Sequence, residues 1–166
     1  MPHLKTDNQS ARLLNAVTNR GTTLYEALKK DLAVAVRIRM MVSFVMEKGV
    51  ALILDDLQQA AARGVPIQIL TSTYMGITEP AALVMLLDGL RDKIDLRLYN
   101  KKDTSFHVKA YLVETPQDSI VYVGSSNISR EAMTRGVEWN FRVQKSLTPH
   151  DYEHFSVTFE EFFHHY

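Results

Sequence analysis

Two short stretches hold residues of the types and spacing that phosphoryl chemistry needs. In "FHVKAYL", His107 and Lys109 stand two positions apart. On a strand, residues i and i+2 share a face, which separates them by roughly 6–7 Å at about 3.3 Å per residue. A phosphate fits between two such side chains. Lysine supplies a fixed positive charge for its oxygens. A neutral imidazole can attack phosphorus, and a protonated one can donate to a leaving oxygen. The second stretch is "GSSN", Gly124 to Asn127, which ends a strand and opens a helix. Gly124 permits close backbone approach, Ser125 and Asn127 offer side-chain donors, and the helix start adds amide N–H groups. Each piece also has an ordinary explanation. H-x-K arises by chance, Asn127 suits a helix cap, and Gly124-Ser125 suits a turn. The functional reading rests on two adjacent strands bringing His, Lys, Ser and Asn to neighbouring ends.

The elements that must position these groups follow from hydrophobic periodicity. Residues 9–31 show helix-period apolar positions around a break at Gly21, and 33–45 read as a buried strand. "EKGVALILDDLQQAAARG" is an amphipathic helix that Gly64 is placed to end. "VPIQILTS" is a strand, 79–91 a helix opened by Glu79-Pro80, and "IDLRLYN" a half-buried strand. Strands over about 108–114 and 119–123 form a hairpin around the H-x-K segment. "SREAMTRG" is a short helix, "VEWNFRV" an alternating strand, and Thr148-Pro149 starts a closing helix. Early alternation of strand and helix gives parallel pairing, and the hairpin mixes it. The expected fold is α/β: a mixed, mostly parallel central sheet flanked by helices on both faces.

Bulk properties narrow the function classes. With 166 residues, the chain is expected to be a single domain, 1–166. It stops straight after an amphipathic pattern, which suggests part of a longer protein, with a natural short protein as the alternative. Apolar residues make up 46% and charged residues 23%, an ordinary globular balance. Formal net charge is zero, which argues against a surface that grips polyanions everywhere but permits a local basic site. There is no cysteine, hence no disulfide framework and no thiolate zinc site, in keeping with a reducing cytoplasm. The most apolar run, "LAVAVRIRMMVSFVM", is broken by Arg37, Arg39 and Ser43, and no signal-peptide core is present. A cytoplasmic protein with no membrane partner is the expectation.

The pattern "HVK…GSSN" resembles the H-x-K…G-S-x-N signature of the phospholipase D superfamily. "ILTSTYMGITEPAAL", "FHVKAYL", "VGSSNISREAM" and "GVEWNFRV" extend the likeness over about residues 10–145. They are similar to the nuclease-like domain at the N-terminus of bacterial DEAD/DEAH-type helicases and restriction-type proteins. The resemblance implies that His107 is a nucleophile forming a phosphohistidine. It implies that Lys109, Ser125 and Asn127 bind phosphate oxygens, and that Glu138 is a carboxylate orienting the histidine. It also implies a homodimer with a shared active site, because family members use two H-x-K motifs per site and this chain has one. No cofactor or metal is called for. Two departures stand out: Glu114 occupies the place of the signature's Asp, and the interval to the Gly-Ser loop is long. The departure at Glu114 weakens a phospholipase reading.

Other features carry less. His150 and His154 are four apart on a helix, but Asp151 breaks the H-E-x-x-H pattern, so surface histidines are expected; His164 and His165 read as a tail. Lys101, Lys102, Arg130 and Arg135 are candidates for contact with a nucleic-acid backbone, or solvated charges. Glu138 is alternatively a partner for Arg142. Tyr74 and Met75 fall where a loop near the site is expected. No Walker A pattern occurs, so the chain supplies no ATPase of its own. The reading that results is a metal-independent phosphodiesterase acting on DNA, the nuclease part of a helicase or restriction-type protein. The rivals are a silent nucleic-acid-binding or dimerisation module and, third, a lipid phosphodiesterase.

Overall fold

The computed structural model describes residues 14–101 and 103–165. A seven-stranded sheet runs through it. In chain order the elements are β1 (Ala16–Val17), α1 (Leu24–Leu32), β2 (Arg37–Val42), α2 (Glu47–Ala62), β3 (Ile67–Ser72), α3 (Pro80–Leu90), β4 (Ile94–Tyr99), β5 (Lys109–Glu114), β6 (Ser119–Gly124), α4 (Arg130–Thr134), β7 (Asn140–Gln144) and α5 (Pro149–His165). The sheet order is β1-β7-β6-β5-β2-β3-β4.

The α/β sheet with helices on both faces is as expected, and its pairing balance is not. Two of the six strand pairings, β2–β3 and β3–β4, are parallel, and the other four are antiparallel. The early β-α-β repeats do pair in parallel. The hairpin that follows enters beside β2 rather than extending the parallel end, which makes β2–β5, β5–β6 and β6–β7 antiparallel. The helix expected over 9–31 forms only from Leu24. Residues 9–13 lie outside the described ones, and Ala16–Val17 pairs with β7. Asn19 takes a left-handed turn at φ 56°, and its side-chain oxygen accepts from the Leu24 amide at 2.9 Å. A capping box then starts α1: the Thr23 hydroxyl accepts from the Glu26 amide, and the Glu26 carboxylate from the Thr23 amide.

Helices α1 to α4 cover one face over a core that includes Leu28, Met40, Ile53, Leu57, Ile69 and Tyr111. Helix α5 covers the other face with Tyr152, Phe159 and Phe163 against Met41, Leu112 and Val121. On that face Arg39 is buried, 1% exposed, in the middle of β2. Its guanidinium donates to Glu114 Oε1 and Glu160 Oε1 at 2.8 Å each, to the Ser156 hydroxyl at 2.9 Å and to the Tyr152 hydroxyl at 3.3 Å. The arginines that break the apolar run of β2 thus fasten α5 to the sheet.

Close backbone approach sets the geometry at the site end. A Cβ on Gly49 would lie 2.3 Å from the Ile128 carbonyl oxygen, so only glycine lets α2 dock on the chain leading into α4. Met46 donates its amide to the same carbonyl at 2.9 Å. This docking presses the start of α2 against the "GSSN" loop.

Candidate functional site

The candidate site lies where β5 begins and β6 ends. Register sets Ala110 opposite Val123 and Gly124 opposite Asn140, so the H-x-K segment, the "GSSN" loop and the start of β7 are neighbours. Lys109 is the first residue of β5; His107 stands just before the strand rather than in it. Both line one cavity of about 300 Å3 with Gly124.

The imidazole of His107 is exposed and has no hydrogen-bond partner among the described residues. It meets the Tyr74 ring edge-on, with centroids 4.9 Å apart at 73°. Lys109 donates its ammonium to the His107 carbonyl at 2.6 Å, which folds the pair onto itself. Burial pulls the Lys109 ammonium below the usual lysine range, and the nearby Glu138 carboxylate pushes the other way. Lys109 on β5 and Glu138, two residues before β7, are therefore electrostatic neighbours.

The "GSSN" loop is fixed by residues that the motif does not name. A Cβ on Gly124 would lie 2.2 Å from the Trp139 carbonyl oxygen, so the loop leaves β6 hard against β7. Ser125 and Trp139 exchange bonds: the Ser125 amide donates to the Trp139 carbonyl at 3.1 Å, and the Trp139 amide to the Ser125 hydroxyl at 3.1 Å. The Ser125 hydroxyl in turn donates to Glu138. Ser126, the variable residue of the motif, is buried; its hydroxyl accepts from Asn140 Nδ2 at 2.9 Å and donates to the Ala132 carbonyl. The buried Tyr111 hydroxyl donates to the Ser126 carbonyl at 2.9 Å, and burial pushes its pKa up. Asn127 is buried as well. Its Oδ1 accepts from the Phe44 amide at 3.1 Å, which leaves Nδ2 without a partner among the described residues.

The structure thus brings Lys109, Ser125 and Glu138 together, sets His107 in the cavity that Lys109 lines, and holds Asn127 on the Phe44 amide just past the end of β2. Glu138 bonds Ser125 and makes no hydrogen bond to the His107 ring within this chain. Nor does it pair with Arg142, which is buried on β7 near Asp31 and the Tyr122 hydroxyl. Glu114 sits at the far end of β5, held by Arg39. Arg135 pairs with Glu131, and Arg130 lies beside Glu47 and Glu79 rather than at the loop. Lys102 lies outside the described residues. His150 and His154 are exposed on α5, and among the described residues no group of three or more His, Cys, Asp or Glu is placed to hold a metal.

The residues missed from sequence are Phe44, Ser126 and Asn140, which hold the named ones; Tyr74, expected in a loop near the site, is found against the His107 ring. Asn140 carried a signal, a polar residue on the inward-facing side of an alternating strand.

A family model described as cardiolipin synthase, PLD-like domain, matches residues 28–163, which contain every site residue above. The chain belongs to this PLD-like family. Members of this superfamily are phosphodiesterases and phosphotransferases. No curated protein sequence matches the chain. Among solved structures, it is similar to Nuc, a phospholipase D family member from Salmonella typhimurium, with a TM-score of 0.65 and 22% identity over 88% of this chain and 90% of that one. It is similar to TrmBL2, an archaeal chromatin protein with a novel mode of DNA binding, at TM-score 0.55 and 16% identity over 89% and 50% of the two chains. It is also similar to phosphatidylserine synthase from Haemophilus influenzae, at TM-score 0.60 and 10% identity over 77% and 33%. At these identities the shared property is the PLD-like fold, which hosts more than one chemistry. Among the described residues, no helix is long and apolar enough to cross a membrane.

Proposed function

We propose that this PLD-like domain is a metal-independent phosphodiesterase that cleaves DNA through a phosphohistidine. The observation that carries the reading is His107: an exposed imidazole with no hydrogen-bond partner among the described residues, lining a cavity with Lys109 and Gly124. In the first step a ring nitrogen of His107 forms a bond to phosphorus, and the bond from phosphorus to the leaving sugar oxygen breaks. That oxygen takes a proton from an imidazolium. In the second step water attacks the phosphohistidine, gives up a proton, and frees His107. Lys109 and Asn127 Nδ2 neutralise the charge on the non-bridging oxygens.

One chain supplies one imidazole, and the two steps call for two in opposite protonation states. A homodimer with a shared site answers this, with His107 of one copy attacking and His107 of the other protonating. The pH–rate profile is then bell-shaped. Glu138, engaged by Ser125 in its own chain, is left with a carboxylate oxygen for the site. The resemblance of the sequence motifs to helicase-associated nuclease domains is what suggests a role as the nuclease part of a larger helicase or restriction-type protein.

A second reading, a lipid phosphodiester as substrate, is favoured by one observation. The cavity beside His107 has apolar walls: Met41, Leu112, Phe155, Phe159 and Phe162. A single assay series decides. Cleavage of oligonucleotide in excess EDTA that vanishes in His107→Ala supports the nuclease. Turnover of phospholipid vesicles without DNA cleavage supports the lipid reading, and DNA binding without cleavage at any pH supports a silent module.

A further inference from the structure

We infer that Tyr74, which no motif of the chain marks, is the positioning residue for the His107 imidazole; this rests on His107 being the reacting group. The resemblance assigns that task to Glu138, yet within the chain Glu138 bonds Ser125. Among the described residues, the aromatic ring paired with the His107 ring is Tyr74, edge-on at 4.9 Å. An edge-to-face pair fixes ring orientation as well as position.

The contact is built from two buried serines that join three strand ends. The Tyr74 amide donates to the Ser72 hydroxyl at 3.2 Å. The Ser72 hydroxyl donates to the Ser43 carbonyl at 2.6 Å. The Ser43 hydroxyl donates to the carbonyl of Val108, the residue after His107, at 3.2 Å. The turn bearing Tyr74 and the segment bearing His107 therefore hang from one buried scaffold at the ends of β2 and β3. Thr78 adds a 2.6 Å bond to the Ser72 carbonyl and closes the turn from its far side.

The turn also stores strain. Met75 is left-handed at φ 56°, a conformation that a non-glycine residue adopts only when its surroundings demand it. Met75 itself is 71% exposed. What the conformation achieves is the aim of its neighbour: it reverses the chain directly after Tyr74 and leaves that ring against His107.

The test combines two readouts on the purified protein. His107 ring signals are followed by NMR with labelled histidine, identified among the six histidines by their loss in His107→Ala. Steady-state kinetics are measured on bis(4-nitrophenyl) phosphate and an oligonucleotide. Tyr74→Ala is expected to move the His107 signals and to lower kcat on the order of 10- to 100-fold, with KM little changed, as for a misplaced reacting group. Tyr74→Phe keeps the ring and restores both readouts; Tyr74→Leu serves as the second truncation should the alanine variant fold poorly. Unchanged His107 signals in both truncations overturn the inference, as does an unchanged kcat. A Tyr74→Phe variant as impaired as the truncations also overturns it, because the hydroxyl and not the ring contact would then matter. Should the wild type cleave no phosphodiester, the proposed function falls, and the His107 signals alone decide the fate of Tyr74.

Discussion

Glu114 occupies the position of the signature's aspartate, and the structure gives it a task that is not catalysis. At about 3.3 Å per residue, five steps along β5 carry it some 16 Å from Lys109. Its carboxylate accepts at 2.8 Å from Arg39, whose side chain is 1% exposed while that of Glu114 is 29% exposed. Removing one partner of a fully buried pair costs about 3–5 kcal/mol. Here Glu160 remains on Arg39 at 2.8 Å, and glutamine keeps an acceptor, so Glu114→Gln loses mainly one charge-assisted bond. Such a bond contributes about 1.5–3 kcal/mol. For a domain of this size that lowers Tm by roughly 5–9 °C, at about 3 °C per kcal/mol. The assay is a thermal melt beside oligonucleotide cleavage at a temperature well below the melt. Glu114→Gln should melt earlier and cleave within about twofold of wild type. A tenfold loss of kcat with Tm unmoved would show that Glu114 acts at the reacting centre, and the structural role derived for it would be wrong.

Three more outcomes are expected. Glu138→Gln removes the charge that raises the Lys109 pKa while the burial that lowers it stays, so Lys109 loses its proton at lower pH; inorganic phosphate binding, followed by NMR, should lose its alkaline limb at lower pH than in wild type, and an unmoved limb refutes the coupling. Gly124→Ala puts a methyl 2.2 Å from the Trp139 carbonyl, and parting β6 from β7 there should cost about 1–3 kcal/mol by denaturant melt and abolish phosphate binding; a variant that melts and binds like wild type contradicts the packing described. Trp139, the chain's single tryptophan, is 75% exposed and follows Glu138 directly; if two half-sites meet, its emission should shift to the blue as protein concentration rises and the dimer forms, whereas a concentration-independent spectrum at a sedimentation mass of one chain rejects the dimer.

The sequence made the candidate site residues legible and left their supports obscure, for a physical reason. Motif spacing, alternation and caps are local, and they located β3 to β7, α2, α3 and α5 within a few residues. Strand pairing is not local. Nothing in "FHVKAYL" says that its strand enters beside β2, and the sheet, mixed as expected, is mostly antiparallel rather than mostly parallel, with four antiparallel pairings of six. The same holds for side chains. Arg37 and Arg39 looked like interruptions of an apolar run because their partners, Glu114 and Glu160, lie about 75 and 121 residues further on. Ser43, Ser72 and Tyr74 belong to no motif, and only the convergence of three strand ends gives them a shared role.

The two ends of β2 and β5 argue for where the ligand goes. At the Glu114 end, a buried arginine is met within the chain by two carboxylates and two hydroxyls. Burial of a charge calls for such pairing, and the chain supplies it at both terminal nitrogens of the guanidinium, while the buried Nε has no partner among the described residues. At the other end of the same strands polar groups also gather, and there the pairing stops. The His107 ring nitrogens and Asn127 Nδ2 have no partner among the described residues, and Lys109 falls back on a carbonyl two residues away. A cation, an N–H donor and an imidazole left open at one end of these strands have an anion as their common complement. Since Asn127 Oδ1 is already held by the Phe44 amide, its NH2 group is fixed in the donor orientation before any ligand arrives, which is the preorganisation that binding an oxyanion calls for.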